Sequence, residues 1–310
     1  MRYTVLTLFP EITDAFFASS IMAKAIDRGI VEYRAVNIRD FAHDRHKTCD
    51  DAPYGGGAGM LMLAEPLALA LQSVGVAGKG LHSAPVGAEA GWGEAEDEAC
   101  RRQDLAEAGG ETSPLMVKTE DEACQRQDLA GAGRRVLYLS PSGRPLTQAL
   151  AGELAACGEL VLVCGRYEGI DQRVIDRYID EELSVGDYVL SSGEVAALVV
   201  ADTTYRLIDR VITPGSLAEE SFAGGLLEYP QYTRPEVYDT MAVPEVLISG
   251  HHEKIRYWRL ERRVAKTVRN RPDLIAEGLE AGLFDEETKA LIDRQLLAEG
   301  DGEDECDREG

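Results

Sequence analysis

The pentapeptide Gly165-Arg166-Tyr167-Glu168-Gly169 follows the apolar run LVLVC (160–164) and sets a carboxylate between two glycines. A phosphate cradle would use several glycines and no carboxylate, because a buried anion beside a phosphate is repelled. The turn therefore serves a ligand of another kind. Three more glycine-marked turns occur: YGGGAGM (54–60), SPSGRP (140–145) and VGDYVLSSGE (185–194). The last two, like CGRYEG, lie at the carboxyl end of an expected strand. That edge of an open α/β sheet is where ligands bind, so the three turns point to one pocket. Neither G-x-G-x-x-G nor G-x-x-x-x-G-K-[ST] occurs, which argues against a dinucleotide or a P-loop nucleotide.

Two other groups of residues could do chemistry. HDRHKTCDD (43–51) spaces His43, His46 and Cys49 three apart. Zinc sites usually draw four ligands from two separated clusters, and no second cluster is visible. A loop whose His46 and neighbouring cations contact phosphate or a partner subunit is the reading preferred here. Arg206, late in an apolar helix, precedes the carboxylates Glu219 and Glu220 of EESFAGGLLEYPQYTRPE (219–236). A guanidinium and a carboxylate together can take a proton from a nucleobase and hold the charge that develops. From the residues alone, the reading favoured for Arg206 is an ordinary helix-surface pair with Asp202 or Asp209.

The elements that would position these groups alternate. Strands are expected at 3–9, 31–38, 136–140, 160–164 and 187–191, with helices at 12–28, 65–74, 145–156, 171–178 and 194–210. This pattern implies an α/β fold, a parallel sheet with helices on both faces. From about 234 onward only helical periodicity survives, at 244–249, 251–269, 272–282 and 285–298, which reads as a small all-helical domain. Domains are accordingly expected at 1–210 and 234–310, joined by a linker at 211–233 that holds Pro214, Gly215, Gly224, Gly225 and Pro230. Residues 78–133 interrupt the first domain with a duplicated unit, EDEACRRQDLA (96–106) and EDEACQRQDLA (120–130), and read as a surface insertion.

The net charge of −23 is unevenly spread. The insertion at 78–133 is net −7 and the tail at 299–310 net −6, whereas 251–271 is net +6. The basic stretch could dock an anion despite the overall sign. No apolar run approaches the roughly 18 residues of a membrane span, and MRYTVLTLFPE lacks a signal-peptide pattern, so a cytoplasmic location is expected. Six cysteines without a C-x-x-C pair read as reduced thiols.

Taken in order, HDRHKTCDDAPYGGGAGM, YLSPSGRPL, LVCGRYEGIDQRV, VGDYVLSSGE and SFAGGLLEYPQYTRPEV closely resemble the bacterial tRNA (guanine-N1)-methyltransferases of the SPOUT class. The likeness covers residues 1 to about 275 apart from the insertion. It implies a deep trefoil knot, an exception to the rule against knotted chains. It also implies a bent S-adenosyl-L-methionine enclosed by Tyr138, Leu139, Ser140, Pro141, Gly165, Tyr167, Val185, Gly186, Tyr188, Leu190 and Gly193, with Glu168 offsetting the cofactor's positive charge. A requirement for Mg²⁺ comes with the family, although no dedicated metal cage is visible.

The reaction implied is methylation of N1 of guanosine 37, next to the tRNA anticodon. Arg206 would stabilise O6 and the carboxylate before SFAGGLL would act as base. That carboxylate is Glu220 where the family usually has Asp, with Glu219 in reserve. Ser192 stands where Gly is usual, and Ala52 and Ala58 where Arg and Pro are usual. The family works as a homodimer with a shared active site. Lys254, Arg256, Arg259, Arg262, Arg263, Lys266 and Arg269 would meet phosphates of the anticodon arm. Competing readings are another SPOUT methyltransferase acting on a ribose hydroxyl or a different base, an RNA-binding module without activity, and a metal-dependent hydrolase using His43 and His46.

Overall fold

The computed structural model describes residues 1–79, 133–212 and 220–306. The duplicated unit and Glu219 lie outside the described residues. The chain divides into two compact units, Met1–Ile208 and Asp209–Gly310.

The first unit is built on a five-stranded parallel sheet: β1 (Arg2–Thr7), β2 (Glu32–Asn37), β5 (Arg134–Pro145), β6 (Glu159–Cys164) and β7 (Glu181–Ser184), in the order β2-β1-β6-β5-β7. A two-residue ribbon, β3 (Asp50–Asp51) with β4 (Leu61–Met62), stands apart from it. Strands β1 and β6 run through the middle and are buried on both faces, which is why they read as continuous apolar runs.

Alternation along β1 assigns the helices to two layers. On one side Leu6 joins a core with Leu67 and Leu71 of α3 (Ala64–Ser73) and Val174 and Tyr178 of α5 (Gln172–Tyr178). On the other, the Tyr3 hydroxyl lies 2.8 Å from Thr204 Oγ1 of α6 (Gly193–Tyr205), and Tyr3 packs against Phe17 of α1 (Pro10–Phe17). Helix α4 (Gln148–Ala155) begins at Thr147, whose hydroxyl accepts from Leu150 N–H.

Two expectations are corrected. The helix foreseen at 12–28 is two, α1 and α2 (Ser20–Asp27), because the Ser19 hydroxyl bonds back to the Phe16 carbonyl and Ser20 turns to φ 54°. The fifth strand is EELS (181–184) and not DYVLS (187–191), which is loop. EELS looks polar because it forms a sheet edge. Leu183 and Ser184 are buried, while Glu181 lies 3.3 Å from Arg135 and 3.5 Å from Arg144. Val189, by contrast, is 86% exposed.

In the second unit a short hairpin, β8 (Val237–Tyr238) with β9 (Met241–Ala242), precedes four helices: α7 (Glu245–Ile248), α8 (His252–Asn270), α9 (Pro272–Glu280) and α10 (Glu286–Cys306). The hairpin corrects the expectation of helices alone. Its turn residues Asp239 and Thr240 both take positive φ, a two-residue geometry that the pair Asp-Thr signals poorly. Val264 and Val268 of α8 pack with Ile275, Phe284, Leu291 and Ile292, and Leu226 belongs to the same core. Residues from about 220 onward are thus part of this unit's packing. Among the described residues no helix is long and apolar enough to cross a membrane.

Candidate functional site

A cavity of about 400 Å³ opens at the carboxyl ends of β5, β6 and β7. Its walls are the turn that bulges from β5 at Ser140–Ser142, the CGRYEG turn after β6, and the loop from Val185 to Gly193 after β7. All the residues assigned above to the cofactor line it: Tyr138 to Pro141, Gly165, Tyr167 and Glu168, and Val185, Gly186, Tyr188, Leu190 and Gly193.

Main-chain contact closes the wall. Gly193 N–H donates to Gly165 O at 2.9 Å, and a Cβ on Gly193 would stand 2.7 Å from Gly165 N. Only glycine permits that approach. Ser192, just before it, is extended at φ −164°, so the serine in place of the usual glycine meets no backbone strain. YGGGAGM is stitched to the CGRYEG turn through Glu168 N–H to Met60 O (3.0 Å) and Met62 N–H to Gly169 O (3.0 Å). Gly59, at φ +93°, leaves room for the Glu168 side chain, whose Cγ and Oε1 would sit 2.5 Å from any Cβ there. Tyr167 is held at φ 57°, an uncommon conformation for a bulky residue and one that clusters at functional turns.

Side chains steady the loops from behind. The Ser184 hydroxyl donates to Gly186 O at 3.1 Å, and the Tyr188 hydroxyl to Val185 O at 3.0 Å. Burial raises the Tyr138 phenol above its ordinary value, with help from the Glu182 charge, so it stays a neutral part of the floor. Beside the cavity lies a group that sequence reasoning missed. Glu194, in the first turn of α6 and 0% exposed, accepts from Thr7 Oγ1 at 2.5 Å, and its other oxygen lies 3.3 Å from Arg166 Nε. Arg166 lines the cavity and stacks 4.3 Å over the Phe9 ring. A carboxylate at a helix N-terminus is favourably placed. Next to this pair, burial and then the Glu194 charge push the Cys164 thiol well above its usual range, so it is unreactive. A glutamate directly after the SSG turn was the available signal. Because Arg166 is matched by Glu194, Glu168 is left as the carboxylate among the lining residues.

Arg206 is the half-buried C-cap residue of α6 and is not among the lining residues; Glu220 is half-buried in the second unit. Phe222, two residues on, takes φ 73°, and its N–H bonds Leu226 O at 2.9 Å. Helix α8 clasps the following residues: Leu227 N–H donates to Thr267 Oγ1 (2.9 Å), Arg263 to Leu227 O (3.3 Å) and Lys266 to Glu228 O (3.1 Å).

The remaining cations of α8 divide by environment. Arg256 forms a two-pronged pair with Glu287 (2.8 and 3.1 Å), Arg259 lies over the Tyr229 ring, and Arg262 over Trp258. Lys254, Arg262 and Arg269 are exposed. His46 is exposed in a loop organised by Asp44, whose carboxylate accepts from His46 N–H, Thr48 N–H and the Thr48 hydroxyl and is held below its ordinary pKa by them. Cys49 is buried with its Sγ toward Lys47 O, while His43 and His46 face solvent, so the three do not converge. No group of three or more His, Cys, Asp or Glu able to hold a metal gathers among the described residues.

The family described as tRNA (Guanine-1)-methyltransferase TrmD matches residues 1–103 and 92–277. A tRNA (guanine-N(1)-)-methyltransferase of Treponema denticola is 49% identical over 292 residues, 94% of this chain and 98% of that protein. Proteins of the same name from Borrelia duttonii (46% over 282 residues; 90% and 95%) and Treponema pallidum (45% over 292 residues; 94% and 95%) are similar to it over comparable lengths. With a family match spanning most of its length and relatives near half identity, this chain belongs to the tRNA (guanine-1)-methyltransferase TrmD family.

Proposed function

We propose that this protein methylates N1 of guanosine 37 in tRNA, beside the anticodon, using S-adenosyl-L-methionine. The observation that carries the proposal is the convergence of three loops, far apart in sequence, on one cavity at the sheet's carboxyl edge in a chain of this family. The cavity fits the cofactor. In this reading peptide groups of its three wall loops meet adenine and ribose, and the lining carboxylate Glu168 suits a cation where it would repel a phosphate. When bound, the cofactor supplies a methyl group on a positively charged sulfur.

The chain's own residues would do the rest. Guanine N1 carries a proton, and Glu220 accepts it as the nitrogen lone pair attacks the methyl carbon. Negative charge gathers on O6 and is held by the Arg206 guanidinium. Glu220 is one methylene longer than the family's usual Asp, a displacement of about 1 Å that the loop must absorb, since misplacement on that scale can cost roughly a hundredfold. Hydrogen bonds between α8 and Leu227 and Glu228 anchor the residues that follow Glu220. The reading includes a trefoil knot in the first unit and a homodimer whose active site is shared between subunits. The exposed cations of α8 would meet phosphates of the anticodon arm.

The test is methylation of a transcript with guanosine at 36 and 37, read by a primer-extension stop. The stop is expected at 37 and is expected to vanish when 37 is changed. Methylation persisting on the altered transcript overturns the proposal, and Glu220→Gln is expected to reduce turnover by about 10²–10⁴-fold.

A further inference from the structure

The second unit holds a cavity of its own, about 560 Å³, within the size range of ligand sites. Its lining joins two tyrosines, Tyr229 and Tyr232, with two arginines, Arg234 and Arg259, over an aliphatic floor that includes Leu247 and Ile248. We infer that this cavity receives an unstacked nucleobase from a single-stranded part of the RNA substrate. The inference rests on the reading of this protein as a tRNA methyltransferase and adds a site that shares no lining residue with the cavity of the first unit.

Three observations select this occupant. The first is an open ring. Tyr232 is 49% exposed, and its plane is tilted 54° to Trp258 at 6.3 Å, so Trp258 does not cover it in a parallel stack. The second is a planar cation among the aromatics, with the Arg259 guanidinium 4.7 Å over the Tyr229 ring. Bases splayed out of an RNA loop stack on both aromatic rings and guanidinium planes, and every base has such a face. The third is charge. The cavity borders α8, the core of the segment that is net +6 in a chain of −23. A second copy of this acidic chain would answer the charge alone, whereas a polyanion bearing flat bases matches both the cations and the rings. An apolar small molecule would have no use for two arginines in the lining.

The experiment measures binding of the full-length protein to an anticodon-arm RNA in which loop bases are removed one at a time. Wild type is expected to lose roughly 5- to 100-fold in affinity when one particular unpaired base is removed, the range of one stacked base. Tyr232→Ala is expected to lose a similar factor on intact RNA and little more on that abasic RNA, while Tyr232→Phe binds as wild type. Because stacking releases no counterions, Tyr232→Ala should leave the dependence of affinity on salt unchanged, whereas Lys254→Ala should reduce its slope. Equal losses on every abasic RNA for wild type and Tyr232→Ala overturn the inference. So does a Tyr232→Ala protein that binds all RNAs normally but changes its oligomeric state, which would assign the cavity to a second copy. Failure of the pocket alone leaves wild-type RNA binding intact, whereas failure of the functional reading removes it.

Discussion

The two cavities are made of different material. In the first unit the wall is main chain against main chain, with Gly193 on Gly165 and YGGGAGM hydrogen-bonded to the turn that bears Glu168. In the second unit tyrosines, arginines and aliphatic side chains make the concavity, on a scaffold of short helices and a two-residue hairpin. A wall of peptide groups presents fixed donors and acceptors whose positions depend on the fold as a whole. A wall of side chains can be altered one residue at a time. The first kind suits a ligand that never varies, and the second suits recognition that can drift between substrates.

The sharpest challenge to this contrast is the pair of buried Glu194 with half-buried Arg166 beside the main-chain wall. Glu194→Ala leaves Arg166 beside an apolar pocket and is expected to cost about 3 kcal/mol in urea denaturation, discounted for the partial exposure of Arg166. A loss well below 1 kcal/mol would show that the cavity stands on backbone alone. Gly193→Ala attacks the backbone contact directly. It is expected to cost about 1–3 kcal/mol and to abolish calorimetric binding of an S-adenosyl-L-methionine analogue. Normal analogue binding by that variant would remove the distinction between the two cavities. The smallest effect concerns the His46 loop, which sides with the second kind because one side chain organises it. Asp44 is held below its ordinary value of 3.8, so its contribution is complete above that pH and disappears as pH falls through the lowered value. The protection factor of the Thr48 amide, taken against its intrinsic exchange rate at each pH, should fall over that interval in wild type and be low at every pH in Asp44→Ala.

The sequence made the sheet legible wherever strands were buried on both faces, since YTVLT and LVLVC carry no competing pattern. It concealed the edge strand EELS, whose Glu181 faces two arginines on the neighbouring strand, and drew attention instead to the exposed apolar residues of DYVLS. The glycine turns were readable because left-handed backbone and close approach demand glycine. The link from Thr7 to Glu194 was not, because it joins residues 187 positions apart and depends on how α6 packs over the sheet. Hairpin β8–β9 escaped notice because its strands are two residues long and exposed.

The peptide-on-peptide contact between Gly165 and Gly193 also limits what chemistry can be directed against the pocket. A side chain on Gly193 would part the wall and one on Gly165 would displace the Tyr138 ring, so resistance to a competitive inhibitor by substitution there would reshape the cavity itself. Substitutions that tune the cavity without breaking it must be sought at lining positions that already carry an apolar side chain, such as Leu139, Leu183 and Ala196.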